Sequence, residues 1–355
     1  MDTLIETWIA RVAAAAGAGG KLAIRGGGSK SFYGGPERGE VLAVGGYRGV
    51  VAYEPTELVV TARGGTPLVE VAATLAEKGQ WLPFEPPHFG PAATLGGMLA
   101  SGLSGPRRQA MGAVRDFVLG VRLLNGRGEV LSFGGQVMKN VAGYDVPRLI
   151  SGSLGTLGIV LEVSLKVLPR PPAEKTVRFV VDEAAALQRL NQWAGRPLPI
   201  SASAWFDGVL TLRLSGATAA VAAAQRTLAG GLLEDDEADA FWQSLREQTH
   251  GFFAGDVPLW RLSLPSVVAA QGLGPTLIEW GGAQRWLRSD DARAIRSAAL
   301  KAGGHATLFR ADDALKAAVG VFQPLPPPLA RIHRHLKLAF DPQGVFNPGR
   351  MYPDL

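Results

Sequence analysis

The segment Pro169-Arg170-Pro171-Pro172 constrains this chain most, because a run in which three of four residues lack a backbone N–H can continue neither a helix nor a strand. It divides the 355 residues into two parts, each long enough to bury a core of its own. The boundaries that follow are a first domain over 1–172, a second over 173–320, and a segment over 321–355 that returns to the first.

In the first part, Leu4, Ile5, Trp8, Ile9 and Val12 form a helical stripe over about 2–16. Strands are expected at Leu22–Ile24, Val41–Val44, Gly49–Tyr53 and Leu58–Thr61. Thr66-Pro67 reads as a helix cap and first turn, with Leu68, Val71, Ala72 and Leu75 turned inward and an end at Gly79. This order suggests a βαβ-type nucleotide lobe. Val118–Leu124 and Val130–Phe133 flank an Asn125-Gly126 turn, a helix starts near Tyr144, and Leu161, Val163, Leu165 and Val167 alternate with polar residues as in a half-buried strand.

Beyond the proline run the order strand 175–181, helix 184–194, strand 199–206, strand 209–215 and helix 217–229 is followed by an acidic helix near 236–248. A similar order then returns: strand 258–264, short helix 266–271, strands 276–280 and 283–288, helix 291–302 and strand 305–310. The expected class is α+β, with a duplicated βαββα unit forming one antiparallel sheet with helices on one face. A last helix over about 329–339 precedes a tail dense in turn formers, which should pack on an existing surface.

Three glycine-rich sites carry the chemistry. In Arg25-Gly26-Gly27-Gly28-Ser29-Lys30, consecutive N–H groups bare of side chains can wrap a pyrophosphate, with Arg25 and Lys30 adding positive charge. It is neither a P-loop nor a G-x-G-x-x-G fingerprint, and a plain mobile loop is the bland alternative. In Pro91 to Gly102, Thr94 can cap a short helix whose Gly96 and Gly97 admit a flat ligand or phosphate; tight helix packing is its alternative. Gly152 to Ile159 is the third.

Composition narrows the classes further. The chain has no cysteine, which excludes disulfides, thiolate metal sites and a cysteinyl flavin link within it. The net charge of +5 is spread over scattered arginines rather than a basic tract, so nucleic acid is not an expected partner. Five histidines offer no metal-ligand spacing and no metal site is expected: His333 and His335 point to different helix faces, and His250 and His305 stand apart. His88, beside the second glycine site, is a candidate acid/base, and a loop histidine satisfied by backbone is its alternative. The acidic cluster Glu234 to Glu237 reads as a solvated helix start or a docking patch. The acidic, amphipathic residues 1–6 and the lack of an apolar run near the roughly 20 residues of a membrane span suggest a cytoplasmic protein.

Taken in order, RGGGSK (25–30), PAATLGG (91–97), GAVRDFVLGVRLLNGRGEVL (112–131), KNVAGYDVPRLISGSLGTLGI (139–159) and DPQGVFNPGRMY (341–352) resemble the FAD-linked oxidases of the vanillyl-alcohol oxidase/PCMH superfamily. Among these the similarity is greatest to the FAD-binding E-type subunits of bacterial glycolate oxidases. The resemblance implies a two-lobed PCMH-type FAD-binding domain and an α+β cap. It implies that Arg25, Gly26, Gly27, Gly28, Ser29 and Lys30 wrap the FAD pyrophosphate. Pro91, Thr94, Leu95, Gly96 and Gly97 would lie along the pyrophosphate and flavin, with Ala100, Ser101 and Gly102 behind. Gly112 to Asp116 and Gly155 to Ile159 would approach the adenosine, and Asn347 to Arg350 the isoalloxazine; Lys139, Asn140 and Tyr144 are candidates for the flavin edge.

Two departures from the superfamily bear on mechanism. Ser29 and Lys30 stand where some members carry a flavin-linking histidine, so FAD should be non-covalent. The H-x-G-D-G-N-x-H motif of the catalytic D-type subunits is missing, which assigns substrate chemistry to a partner and leaves His88 and Tyr144 as the catalytic candidates here. The implied assembly oxidises glycolate to glyoxylate with a catalytic FAD-containing D-type subunit and an iron–sulfur subunit, touching the membrane peripherally at most. A self-sufficient FAD dehydrogenase of another small hydroxy acid and a flavin-free scaffold stay open as alternatives.

Overall fold

The structure is a computed structural model that describes residues 3–135 and 144–355. The opening helix, Thr3–Ala18, buries Ile5, Trp8 and Val12, while Leu4 lies at the exposed margin of the stripe. Strand Leu22–Arg25 then pairs in parallel with Glu40–Ala43. The link between them is the glycine-rich loop, not a helix, so the expected βαβ crossover is corrected: no helix is needed because the two strands are short and adjacent. Phe346, from the far end of the chain, bridges Leu22 in parallel as well.

The second lobe is a five-stranded sheet in the order Val50–Glu54, Val59–Arg63, Ile159–Lys166, Val118–Leu124 and Val130–Gly134, antiparallel throughout. Helix Leu68–Ala76 covers it through Leu68, Val71 and Leu75; Ala72 is exposed. Thr66 is not the cap of this helix, because its hydroxyl is spent on the Arg63 carbonyl (2.7 Å) and the Gly49 N–H (2.9 Å). Those bonds tie two strand ends together beside the cleft described below.

The cap is one eight-stranded antiparallel sheet. Ala173–Val180, Val209–Gly216 and Ile200–Phe206 meet Thr276–Glu279, Gln284–Arg288 and Leu259–Ser263 in mirrored order, and Gly231–Leu232 and His305–Arg310 form the two edges. The topology therefore repeats with a pseudo-two-fold between residues 204 and 279. Two corrections apply. Residues 266–271 form no helix, because the Val268 and Ala269 carbonyls accept from the Arg285 guanidinium (2.7 Å at Ala269) instead of closing helical turns. An unforeseen helix, Asp313–Val319, follows the last strand. Helices Glu183–Ala194, Thr218–Leu228 and Ala292–Lys301 cover one face; the acidic helix Asp235–Arg246 lies on the other, its Trp242 and Leu245 packed with Ala202, Leu259 and Phe309. Asp235 and Glu237 pair with Lys175 and Arg178, as a solvated helix start would.

The domains meet around Arg107, only 2% exposed. Its guanidinium reaches Glu85 (3.2 Å), Ser215 (2.9 Å) and Glu174 (2.6 Å), and Arg213 reaches Glu85 from the cap (2.8 Å). Burial opposes ionisation of Glu85, but the two guanidiniums outweigh it and hold its carboxyl below the ordinary range. Helix Pro327–Phe340 and the segment after it return to the first domain. Among the described residues no helix is long and apolar enough to cross a membrane.

Candidate functional site

An open cleft lies between the two lobes of the first domain. One wall is residues 24–31, where strand Leu22–Arg25 runs out into the glycine loop. Gly28 takes a φ of +72°, and at Gly27 a Cβ would collide with the Ala92 carbonyl oxygen. Both positions require glycine. Among the described residues, the N–H groups of Gly26 through Lys30 donate to no protein acceptor. Five consecutive free donors on a concave loop are an anion cradle.

The second wall works differently from the sequence expectation. Thr94 caps helix Leu95–Ser101 by accepting from Gly97 N (3.2 Å), while Leu95 N donates to Thr66 O (2.9 Å) and Gly96 N to Gly64 O (2.7 Å). Those donors are spent. Gly96 and Gly97 therefore contribute closeness of backbone, not hydrogen bonds, and a flat ring rather than a phosphate suits this wall.

The third wall is Leu154, Gly155, Gly158 and Val160, held in place by the C-terminal segment. Asn347 accepts from Ile24 N (2.7 Å) and donates to Leu154 O (2.6 Å), so one amide joins the first and third walls. Arg350 donates to the carbonyls of Ser31, Tyr33 and Gly35 and clamps the far side of the glycine loop. Lys337, buried, donates to Thr156 O, Phe346 O and Asp341 at 2.8 Å each. Asn347 and Arg350 line the cleft, and both do so mainly as builders of its walls.

Among the described residues, charge in the cleft is positive: Arg25, Lys30 and Arg350 line it against the single carboxylate of Glu37. Arg25 pairs with Glu37; burial opposes ionisation of that carboxyl, but hydrogen bonds from Arg25 and Ser31 and the charges of Arg25 and Arg350 hold it below its ordinary value. Lys30 donates to His88 O (3.2 Å) and Ser29 Oγ (3.4 Å), and burial lowers its pKa to about 8 against the opposing pull of Glu247.

Residues 5–134 match the family model described as an FAD binding domain. Over 336 residues the chain is 51% identical to glycolate oxidase subunit GlcE of Escherichia coli, covering 94% of this chain and 93% of that protein. The chain belongs to the GlcE family. It is 33% identical over 141 residues to glycolate oxidase subunit GlcD of Bacillus subtilis, which covers 40% of this chain and 30% of that protein. Among solved structures, alkyldihydroxyacetonephosphate synthase has the same fold, with a TM-score of 0.66 at 16% identity, covering 97% of this chain and 75% of that one.

The GlcE-family chain is thus an FAD-dependent oxidoreductase. Its cleft fits the cofactor: free amides suit a diphosphate, and glycine-lined walls admit flat rings. Of the residues singled out in the sequence, Arg25 to Lys30, Thr94, Gly96, Gly97, Ser101, Gly155, Asn347 and Arg350 line the cleft. Pro91 lines an outer opening on the other side of the same loop. Leu95 and Ile159 are buried in hydrophobic cores, and Gly102 is the left-handed end of the capped helix. Gly112 and Asp116 close a separate turn, in which the Asp116 carboxylate accepts from Ala113 N (2.9 Å) and pairs with Arg148.

Asn140 and Lys139 lie outside the described residues. Tyr144 is 94% exposed and outside the cleft lining. His88 enters through its backbone, accepting from Lys30 and donating to Glu247 (3.0 Å), while its imidazole does not line the cleft. Tyr33, Glu37, Val44, Gly64 and Val160 also line it. Only Gly64, in Arg63-Gly64-Gly65 directly after a strand, left a readable signal.

The Lys30 environment gives a directional expectation. An anionic cofactor binds the protonated amine better, so affinity for FAD is highest below about pH 8 and falls as pH rises through that value. Titrations of apo-protein with FAD between pH 6.5 and 9.5 should show this loss, and Lys30→Met should flatten the profile while weakening binding at pH 7.

Proposed function

We propose that this chain is a non-covalent FAD-binding subunit of a glycolate-oxidising complex, with an electron-relay or assembly role, and that glycolate becomes glyoxylate on a partner subunit. The observation that carries the reading is the run of five unpaired N–H groups at residues 26–30 in a glycine-lined cleft. In this reading residues 1–172 and 321–355 form the flavin-binding unit and 173–320 the cap. Residues 26–30 hold the pyrophosphate, the walls at Gly96, Gly97 and Gly155 position the rings, and Asn347 and Arg350 keep these walls together. Bound FAD would supply two-electron chemistry with one-electron exits, which suits a relay.

The assignment of substrate chemistry to a partner rests on the missing histidine-rich motif and on relatives that are named as separate subunits of glycolate oxidase. The partners in this reading are a D-type FAD subunit and an iron–sulfur subunit, and the chain is cytoplasmic, reaching the membrane only through them. Acid precipitation of the purified chain should release its flavin into the supernatant; yellow colour retained in the washed pellet would contradict a non-covalent site. Robust glycolate turnover by the isolated chain with a dye acceptor would overturn the placement of catalysis on a partner.

A further inference from the structure

Helix Asp235–Arg246 of the cap ends at Glu247, which puts a carboxylate at the negative end of the helix dipole. That position does nothing for the helix. The side chain reaches across to the first domain instead, where it accepts from the consecutive N–H groups of His88 (3.0 Å) and Phe89 (2.8 Å). Phe89 takes a φ of +53° and Gly90 one of +121°, and the sharp turn presents both donors to one acceptor.

This turn in turn holds the end of the glycine loop. Lys30 Nζ donates to the His88 carbonyl (3.2 Å) and lies over the Phe89 ring at 5.6 Å, so the pair fixes the ammonium through backbone and ring together. Arg310, at the end of the last cap strand, covers the same ring at 5.5 Å. The charged and titratable groups gathered here are thus Glu247 and Arg246 at the helix end, His88 in the turn, Arg310 on the strand and Arg25 on the loop itself. Arg25 is paired with Glu37 and Arg246 with Glu247, and burial holds the His88 imidazole below its ordinary value. Of these groups Glu247 is the one that favours a charged Lys30.

We propose that Glu247 is the positioning residue through which the cap fixes the place and the charge of Lys30, so that seating of the cap and retention of the cofactor are coupled. The inference rests on the reading of residues 26–30 as the pyrophosphate cradle. A carboxylate on this side of the cradle would, by its charge alone, oppose an anionic cofactor. Acting through Lys30 it does the reverse: it keeps the amine protonated against burial and steadies the turn on which the amine rests. The coupling is reciprocal, since a cofactor held by Lys30 also holds the 88–89 turn against the cap.

Fluorescence titration of the apo-protein with FAD at pH 6 and pH 8 tests it in Glu247→Gln, which keeps an acceptor for the turn and removes the charge. The dissociation constant should rise roughly three- to tenfold at pH 8 and stay within about twofold of wild type at pH 6, where the amine is protonated in both chains. Added to Lys30→Met, the same substitution should bring no further pH dependence. Without FAD, the pH at which Lys30 reacts half-maximally with acetic anhydride, read on its peptide by mass spectrometry, should fall in Glu247→Gln. Loading the wild-type chain with FAD should slow hydrogen exchange at the His88 and Phe89 amides. Equal weakening at both pH values would reduce Glu247 to a structural contact and overturn the proposal, as would an unchanged labelling profile or exchange indifferent to FAD. A wild-type chain that binds no FAD would refute the cofactor reading instead, and the labelling profile would still decide whether Glu247 sets the charge of Lys30.

Discussion

Replacing Gly27 with alanine is expected to raise the dissociation constant for FAD by one to two orders of magnitude while leaving the fold intact. The reason is local and steric. A Cβ at residue 27 would meet the Ala92 carbonyl, a backbone atom that no rotamer change can move aside. The loop must therefore shift, and the five N–H groups that form the anion cradle shift with it. Each tenfold corresponds to about 1.4 kcal/mol. Fluorescence titration with FAD measures the effect. Gly17→Ala, at a helical position where nothing lies within 4 Å of the added Cβ, is the control and should bind as the wild type does. An unchanged affinity in Gly27→Ala would remove the loop from the cofactor site.

The largest loss of stability should come from Lys337→Met. Asp341 is 1% exposed and would keep its contacts with Val345 N (2.9 Å) and Phe346 N (2.8 Å) while losing its buried cation. Removing one partner of such a pair typically costs about 3–5 kcal/mol. The carbonyls of Thr156 and Phe346 lose a donor in the same change. Thermal unfolding should show the loss, and Lys337→Met combined with Asp341→Asn should recover part of it, because the orphaned charge is then gone. A double variant no more stable than the single one would show that the charge is not the cause.

The elements that depend on neighbours in sequence are legible in the sequence itself. Alternation placed strands at 199–206 and 209–215, against the observed Ile200–Phe206 and Val209–Gly216. The glycine loop was recognisable because bare N–H groups need no distant partner to be significant. What escaped is long-range. Apolar residues 266–271 suit a helix until the Arg285 guanidinium takes their carbonyls. By sequence Gly96 reads as a free donor, and its partner is Gly64, thirty-two positions earlier. The resemblance places Asn347 and Arg350 near the isoalloxazine; what the sequence does not show is that their side chains, lining the cleft, are also engaged by backbone groups more than 190 residues away. Such partners are set by tertiary packing, which no local pattern encodes.

The bond from Asn347 to Ile24 spans 323 positions of the chain. At a synthesis rate of roughly 5–20 residues per second, the glycine loop waits about 15–60 s after its own translation for the amide that fixes it. Cofactor loading is therefore a late event in the life of the nascent polypeptide. It follows completion of the cap rather than accompanying the folding of the lobe that holds the loop. Cells short of flavin would accumulate a chain whose last step, and not its first, is left undone.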